Sequence, residues 1–112
     1  MVINGVMYIT TGHDDVFALN AATGDEIWAY HPLAEMPRLD QLSVCCGRDN
    51  RGVAYGNGKV FIGRLDAVLV ALDAATGQVV WKKTVVDWRD RYAITMAPQF
   101  VNGKVIVGVS RR

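Results

Sequence analysis

The sequence predicts an all-β fold made of about two blades of a β-propeller with tryptophan-docking repeats. The first observation is a repeat, because Ala18–Gly24 returns as Ala71–Gly77 after a shift of 53 residues. The second is that Trp28 returns as Trp81 in the same register. The third is that short strand-like segments alternate with turn signals, without helical periodicity. Repeats of this length are typical of arrays of similar units, and propeller blades are one such unit.

The first repeat, residues 1–30, is predicted to contain three strands. Val6–Thr10 is rich in β-formers and follows an Asn-Gly turn. Val16–Leu19 is the second strand, and Thr23-Gly24-Asp25 is a turn with a residue that tolerates positive φ. Glu26–Tyr30 is the third strand, whose side chains alternate between two faces.

The second repeat, residues 53–83, follows the same plan. Its predicted strands are Lys59–Arg64, Val68–Asp73 and Val79–Lys83. A third repeat is expected to begin near residue 97, because Asn102-Gly103 repeats the Asn-Gly pair that forms the first turn of the other two units.

The repeated segment has a physical logic. Asn20, or Asp73 in the second copy, can accept hydrogen bonds from backbone amides of the turn. The tryptophan four residues after the turn glycine supplies a flat surface that can cover a neighbouring blade and donate its N–H. The alternative is a core tryptophan of one isolated domain, but two copies in identical register favour docking between blades.

The segment between the repeats, residues 31–52, is predicted to be an irregular loop. Pro32 and Pro37 exclude helix and central strand. The loop carries Cys45 and Cys46, whose Cα atoms would be ~3.8 Å apart, whereas a disulfide usually spans ~4.4–6.8 Å. A bond between them would close a strained ring of the kind found at functional sites. The alternative is two free, buried thiols.

Composition limits the possible partners. The chain has 112 residues and a net charge of +1, from twelve basic and eleven acidic residues that are scattered along the sequence. Nucleic acid is therefore not an expected partner, and no apolar run is long enough to span a membrane. No export signal is visible. Both ends run directly into strand-like residues, so we expect the chain to be part of a longer protein.

Three other clusters are interpreted structurally. His13-Asp14-Asp15 is predicted to be a hairpin turn rather than a metal site. Asp87–Arg91 is predicted to be a solvated loop. The spacing of the two cysteines and two histidines does not suit a zinc site, and nothing places a histidine beside a reactive thiolate.

Three motifs in order resemble the quinoprotein alcohol dehydrogenases, the family that includes methanol dehydrogenase and uses pyrroloquinoline quinone (PQQ). They are the tryptophan repeats, the Cys-Cys-Gly-x-x-Asn-Arg-Gly motif at Cys45–Gly52, and Ile94–Pro98 followed by Asn102–Gly108. The resemblance implies an eight-bladed propeller with PQQ in its central channel. This chain would supply about two of those blades.

The resemblance also implies roles for five residues. Cys45 and Cys46 match a vicinal disulfide that lies against one face of PQQ. Arg51 matches an arginine hydrogen-bonded to the quinone. Thr95 and Ser110 match side chains that bind a cofactor carboxylate, although Ser110 could instead be a strand-end serine that faces water. Arg48 and Asp49 stand where the family usually has apolar or small residues.

In the family, Ca²⁺ or another metal ion polarises the quinone and an aspartate takes the alcohol proton. The matching residues are not found in this chain, where Arg111-Arg112 follow Ser110 instead of Gly-Ala-Glu. We therefore expect no dehydrogenase activity from the chain alone. The resemblance implies a periplasmic location and a cytochrome c-type electron acceptor. Exposed sheet edges would pair with the remaining blades or with another copy of the chain. The alternative function is a non-catalytic propeller scaffold.

Overall fold

The computed structural model describes residues 1–42 and 48–111. The first repeat forms a four-stranded antiparallel sheet with the strands in sequence order. Its strands are β1 (Val2–Ile3), β2 (Val6–Thr10), β3 (Val16–Asn20) and β4 (Glu26–Tyr30).

The second repeat forms a second four-stranded sheet of the same topology. Its strands are β5 (Ala54–Gly56), β6 (Lys59–Gly63), β7 (Val68–Asp73) and β8 (Val79–Thr84). Each sheet has a register irregularity at the same place in its third strand, after Ala18 and after Ala71. The predicted all-β fold of two blade-like sheets is confirmed.

Four short strands follow the second sheet. They are β9 (Tyr92–Ala93), β10 (Gln99–Val101), β11 (Lys104–Ile106) and β12 (Ser110–Arg111). β10 and β11 form one hairpin, and β12 pairs with β9.

The same turn opens each unit. Asn4, Asn57 and Asn102 have φ of 51°, 50° and 50°, and the glycines that follow them have φ of 77°, 72° and 75°. Positive φ at both central residues is the signature of the two-residue turn whose twist matches paired strands. The Asn-Gly pairs therefore set the register of the first hairpin in every repeat.

The main core lies between the two large sheets. β2, β3 and β4 turn Tyr8, Val16 and Trp28 towards the second sheet, which contributes Ile62 and Val70 from β6 and β7. Four of these five residues are at most 5% exposed, and Trp28 is 7% exposed. Because each sheet supplies one wall, the core exists only when both sheets are present.

Trp28 also joins the sheets through a directed contact. Its indole Nε1 donates a hydrogen bond of 2.8 Å to the carbonyl oxygen of Ala74. Its ring lies on the backbone of Gly77, where an added Cβ would be 2.5 Å from the Trp28 Cε3 atom. Trp81, the equivalent residue of the second sheet, is 38% exposed.

The turn that receives Trp28 is built as the sequence predicted. Asp73 Oδ1 accepts hydrogen bonds from the amides of Ala75 and Thr76 at 2.8 and 3.2 Å. Asn20 Oδ1 makes the same two bonds in the first sheet, at 2.9 and 3.2 Å. The predicted capping of both turns is therefore confirmed.

Two irregular segments differ from the predictions. Within residues 31–42 the chain makes two 3₁₀ turns, Leu33–Glu35 and Leu39–Gln41, each of only three residues. Prolines exclude long helices but permit such single turns. Trp88–Asp90 is a third 3₁₀ turn. The prediction of a wholly solvated loop is wrong at Trp88, which packs on a small cluster that contains Leu65.

Candidate functional site

Arg51 and Thr95 meet through two hydrogen bonds although they are far apart in sequence. The Arg51 backbone N–H donates to the Thr95 carbonyl oxygen at 2.9 Å. The Arg51 Nη1 donates to the Thr95 Oγ1 at 2.9 Å. The second terminal nitrogen, Nη2, is 3.0 Å from an oxygen of Asp49. The guanidinium is thereby oriented, and it is still more than half exposed.

Thr95 and Ser110 line the same small recess. Its volume is about 160 Å³, and Met96, Gly108 and Val109 complete its wall. Ser110 begins β12, which pairs with β9 and sets the serine opposite Ala93. The structure thus brings three of the predicted site residues, Arg51, Thr95 and Ser110, to one place. Their roles towards a cofactor stay predictions.

The donor set at this place suits an anionic, oxygen-rich, planar ligand. The arginine offers a planar array of N–H groups that matches paired oxygens, and the Thr95 hydroxyl can donate to a carboxylate. The Ser110 hydroxyl donates to the Ala93 carbonyl oxygen at 3.5 Å, a long bond that a ligand carboxylate can replace. Asp49 takes up part of the arginine's donor capacity. The remaining donors fit a quinone that bears carboxylates. Cys45 and Cys46 lie outside the described residues.

Asn50 anchors the segment that carries Arg51. Its Nδ2 donates to Asp14 Oδ1 at 2.8 Å and to the Gly63 carbonyl at 3.1 Å. Its Oδ1 accepts from the amide of Gly52 at 2.9 Å. Gly52 has φ of 121°, a conformation that favours glycine. The side chain of Asn50 therefore ties residues 50–52 to both large sheets.

Asp14 is a buried acid bonded to the segment of Arg51, and the sequence alone does not indicate this contact. It lies in the predicted hairpin turn between β2 and β3, but its side chain is fully buried. Its second carboxylate oxygen accepts from the Leu65 amide at 2.6 Å. Burial raises the pKa of Asp14 from 3.8 to about 6, although the bonds from Leu65 and Asn50 act in the opposite direction. A buried carboxylate with a raised pKa is frequent at functional sites, so Asp14 is a candidate residue of such a site.

Comparison of the repeats could have indicated Asp14. Under the 53-residue shift it corresponds to Ala67, and both residues have φ of 62°. A left-handed position that holds alanine in one copy and aspartate in the other needs no carboxylate for the turn itself. The carboxylate of Asp14 is therefore explained by its hydrogen bonds to Asn50 and Leu65 rather than by the turn.

A buried arginine organises the neighbouring loops. Arg64 is 3% exposed, and its Nε and Nη2 donate to the two oxygens of Asp66 at 3.0 and 2.6 Å. Its Nη1 donates to Tyr30 Oη at 3.2 Å and to Glu35 Oε1 at 2.5 Å. Burial opposes the charge, but the bonds to Asp66 outweigh it and raise the pKa of Arg64 above its usual range. This cluster fixes the 3₁₀ turn at Glu35 against the second sheet.

The other polar residues of the first hairpin turn make surface contacts. His13 Nε2 is 2.9 Å from Arg48 Nη1, and His31 Nδ1 is 2.9 Å from Asp15 Oδ1. The turn prediction for His13-Asp14-Asp15 is confirmed, because it joins β2 to β3. Within residues 1–42 and 48–111, no three His, Cys, Asp or Glu side chains are placed to hold a metal ion. Across the same residues, no helix has the length and apolarity needed to cross a bilayer.

Residues 1–112 match the family model described as the PQQ β-propeller domain of glucose, ethanol and alcohol dehydrogenases. The quinoprotein alcohol dehydrogenase PedH of Pseudomonas putida is 50% identical over 111 residues, which are 98% of this chain and 18% of PedH. The 1-butanol dehydrogenase (cytochrome c) of Thauera butanivorans is 46% identical over 109 residues, which are 96% of this chain and 16% of that enzyme. The chain therefore spans less than a fifth of the length of these relatives.

Solved structures agree with these matches. The quinohemoprotein alcohol dehydrogenase from Comamonas testosteroni superposes with a TM-score of 0.90 at 39% identity, over 99% of this chain and 16% of that one. A europium-containing methanol dehydrogenase superposes with a TM-score of 0.88 at 37% identity, over 98% of this chain and 19% of that one.

Proposed function

The chain belongs to the family of PQQ-dependent alcohol dehydrogenase β-propellers, and we propose that it contributes one side of the PQQ site in a dehydrogenase that oxidises a primary alcohol. The observation that carries this proposal is the pair of hydrogen bonds between Arg51 and Thr95, beside the recess that also contains Ser110. The chain covers only a small part of its relatives, so activity and substrate class are proposed for the longer protein.

Arg51 would hold the quinone oxygens with the N–H groups that Thr95 and Asp49 leave free. Its positive charge would stabilise electron density that builds up on those oxygens. Thr95 and Ser110 would bind a carboxylate of the cofactor. When bound, PQQ supplies the quinone that accepts the hydride of the alcohol.

Cys45 and Cys46 would form the vicinal disulfide that lies against one face of the cofactor. They precede Arg51 by only a few residues, so the floor of the site and its arginine come from one segment. A disulfide of this kind requires an oxidising compartment, which supports a periplasmic location. Thiol titration tests this assignment. Two thiols should appear only after reduction, without a change in the mass of the monomer.

We expect the metal ion of the site to be bound by the longer protein rather than by this chain alone. The relatives with solved structures include a europium-containing methanol dehydrogenase, so a metal beside the quinone could be Ca²⁺ or another ion. Its ligands would come from parts of the protein other than this chain. A purified chain supplied with PQQ and Ca²⁺ should accordingly show no alcohol-dependent quinone reduction above background.

The partners of the chain would be the remaining blades of the propeller. β8 exposes Val79, Val80 and Trp81, at 44%, 48% and 38%. An apolar strand of this kind needs a covering sheet, and in isolation it favours self-association. Light scattering should therefore detect dimers or larger assemblies of the isolated chain. A cytochrome c-type electron acceptor is proposed because one close relative is a 1-butanol dehydrogenase (cytochrome c).

A cofactor titration tests the proposed site directly. The longer protein, freed of cofactor, is titrated with PQQ, and binding is followed by the absorbance of the quinone. The R51A variant should bind PQQ at least about tenfold more weakly, because one charged hydrogen bond contributes about 1.5–3 kcal/mol. The R38A variant is the matched control, since Arg38 lies on the surface and is paired with the exposed Asp40. Equal affinity of R51A and wild type would refute the assignment.

A further inference from the structure

A chain of hydrogen bonds leads from Asp14, in the turn between β2 and β3, to the segment that carries Arg51. Asp14 accepts from Asn50 with one oxygen and from the Leu65 amide with the other. Asn50 in turn accepts from the amide of Gly52, which flanks Arg51 on the other side. The arginine therefore lies between Asn50 and Gly52, and Asn50 is bonded to the Asp14 carboxylate as well as to the Gly63 carbonyl.

The backbone of this segment also packs tightly on the Asp14 turn. An added Cβ at Gly12 would be 2.6 Å from the carbonyl oxygen of Arg48. Thr10 Oγ1 donates to the Asn50 carbonyl at 3.4 Å. Residues 48–52 thus rest directly on the hairpin that presents Asp14, and a change in that hairpin is passed on to them.

We propose that Asp14 is a positioning residue for the cofactor site, whose carboxylate holds Asn50 so that Arg51 points at Thr95. The inference rests on the proposed function, because the positioned arginine is the group that would bind the quinone. Asp14 is fully buried and its carboxylate is hydrogen-bonded to Asn50 and to the Leu65 amide, so it would act on Arg51 through Asn50 and the backbone.

A carboxylate is required by the donors that surround it. Both groups that face Asp14 are N–H donors, the Asn50 amide and the Leu65 backbone. An ionised carboxylate accepts strongly from both. A protonated acid accepts more weakly through its hydroxyl oxygen, and an amide has to present an N–H group to one of the two donors. Replacement by asparagine keeps the shape of the side chain and breaks this pattern.

The groups around Asp14 act on its pKa in opposite directions. Burial raises its pKa to about 6, as does Asp66, while Leu65, Asn50 and Arg64 lower it. On its own turn, Asp15 is paired with His31, and His13 lies beside Arg48. A buried acid whose bonds are formed by the charged state should lose its hold on Asn50 as it becomes protonated.

The first experiment needs no cofactor. Hydrogen–deuterium exchange is measured by mass spectrometry on the longer protein without PQQ, in the wild type, D14N and D15N. The amides of Arg51 and Gly52 are hydrogen-bonded in the structure. D14N should increase their exchange at least about tenfold, and D15N, altered at the adjacent carboxylate, should not. Unchanged exchange in D14N would overturn the inference.

The second experiment connects the positioning to binding. PQQ affinity of the same three proteins is measured between about pH 5 and 8. Wild type should bind more weakly below about pH 6, whereas D14N should be about tenfold weaker at neutral pH and lack this transition. If wild type binds no PQQ, the proposed function fails while the exchange result still decides the role of Asp14. If wild type binds and D14N matches it at every pH, the inference fails alone.

If the D14N variant does not fold, the same exchange measurement on the wild type still tests the proposal. The wild-type protection at Arg51 and Gly52, corrected for the intrinsic pH dependence of exchange, should fall as the pH is lowered through about 6. Constant protection across this range would count against the proposal.

Discussion

The indole N–H of Trp28 donates a 2.8 Å hydrogen bond to the carbonyl oxygen of Ala74, and this bond connects the two sheets. W28F keeps an aromatic ring and removes the donor, so it should lower the free energy of unfolding by about 1 kcal/mol. W28A also opens a cavity and should cost about 3–5 kcal/mol. Chemical denaturation measures both. W81A is the control, and its cost should be smaller because Trp81 is 38% exposed.

Alanine substitutions at Gly77 and Gly24 distinguish two contributions to the free energy of unfolding: the steric contact of the new side chain and the strain of the left-handed backbone. The two glycines have similar φ, 77° and 81°, in equivalent turns. An added Cβ would meet Trp28 at 2.5 Å from Gly77 and nothing within 4 Å from Gly24. G24A should therefore cost only the left-handed conformation, about 1–2 kcal/mol. G77A should cost clearly more, as measured by urea unfolding. Equal losses would show that the Trp28 ring does not rest on this glycine.

Removing Arg64 should destabilise the chain strongly. R64M leaves the buried carboxylate of Asp66 without its partner, which typically costs about 3–5 kcal/mol. The double variant R64M/D66L removes both charges and should recover much of this loss. R38A breaks an exposed pair with Asp40 and should cost at most about 1 kcal/mol. Thermal unfolding of the four proteins tests the order, and a double variant as unstable as R64M would contradict it.

Asp14 should make stability fall as the pH rises. Its pKa is raised from 3.8 to about 6. Between these values the folded chain binds more protons than the unfolded chain, so this group stabilises the fold fully below the lower value and loses its contribution through the upper one. The unfolding free energy of wild type relative to D14N should decrease by up to about 3 kcal/mol between about pH 4 and 7. An increase over this range would contradict the assignment.

Local chemistry made much of the fold predictable from the sequence. The Asn-Gly pairs, the capping side chains of Asn20 and Asp73, and the alternation in Glu26–Tyr30 each specify short-range geometry, and the structure contains all three. The 3₁₀ turn at Leu33–Glu35 was not predicted, because single turns depend on contacts such as Glu35 with Arg64 rather than on a periodic pattern.

The site was predictable only in part. Arg51 and Thr95 are 44 residues apart, and no local rule brings them together, so their proximity was expected only from the family resemblance. Asp14 was correctly placed in a turn, but turn residues are usually exposed, and its partner Asn50 is 36 residues away. Burial of a polar side chain by a distant segment is a tertiary effect that spacing does not reveal.

The shared core between the two sheets has a consequence for proteolysis. Tyr8 and Trp28 of the first sheet and Ile62 and Val70 of the second belong to one buried core to which both sheets contribute. A nick in the connecting loop should therefore leave the two halves bound as a noncovalent complex. Separately expressed halves should recombine when mixed, since each half provides the apolar surface that the other half buries.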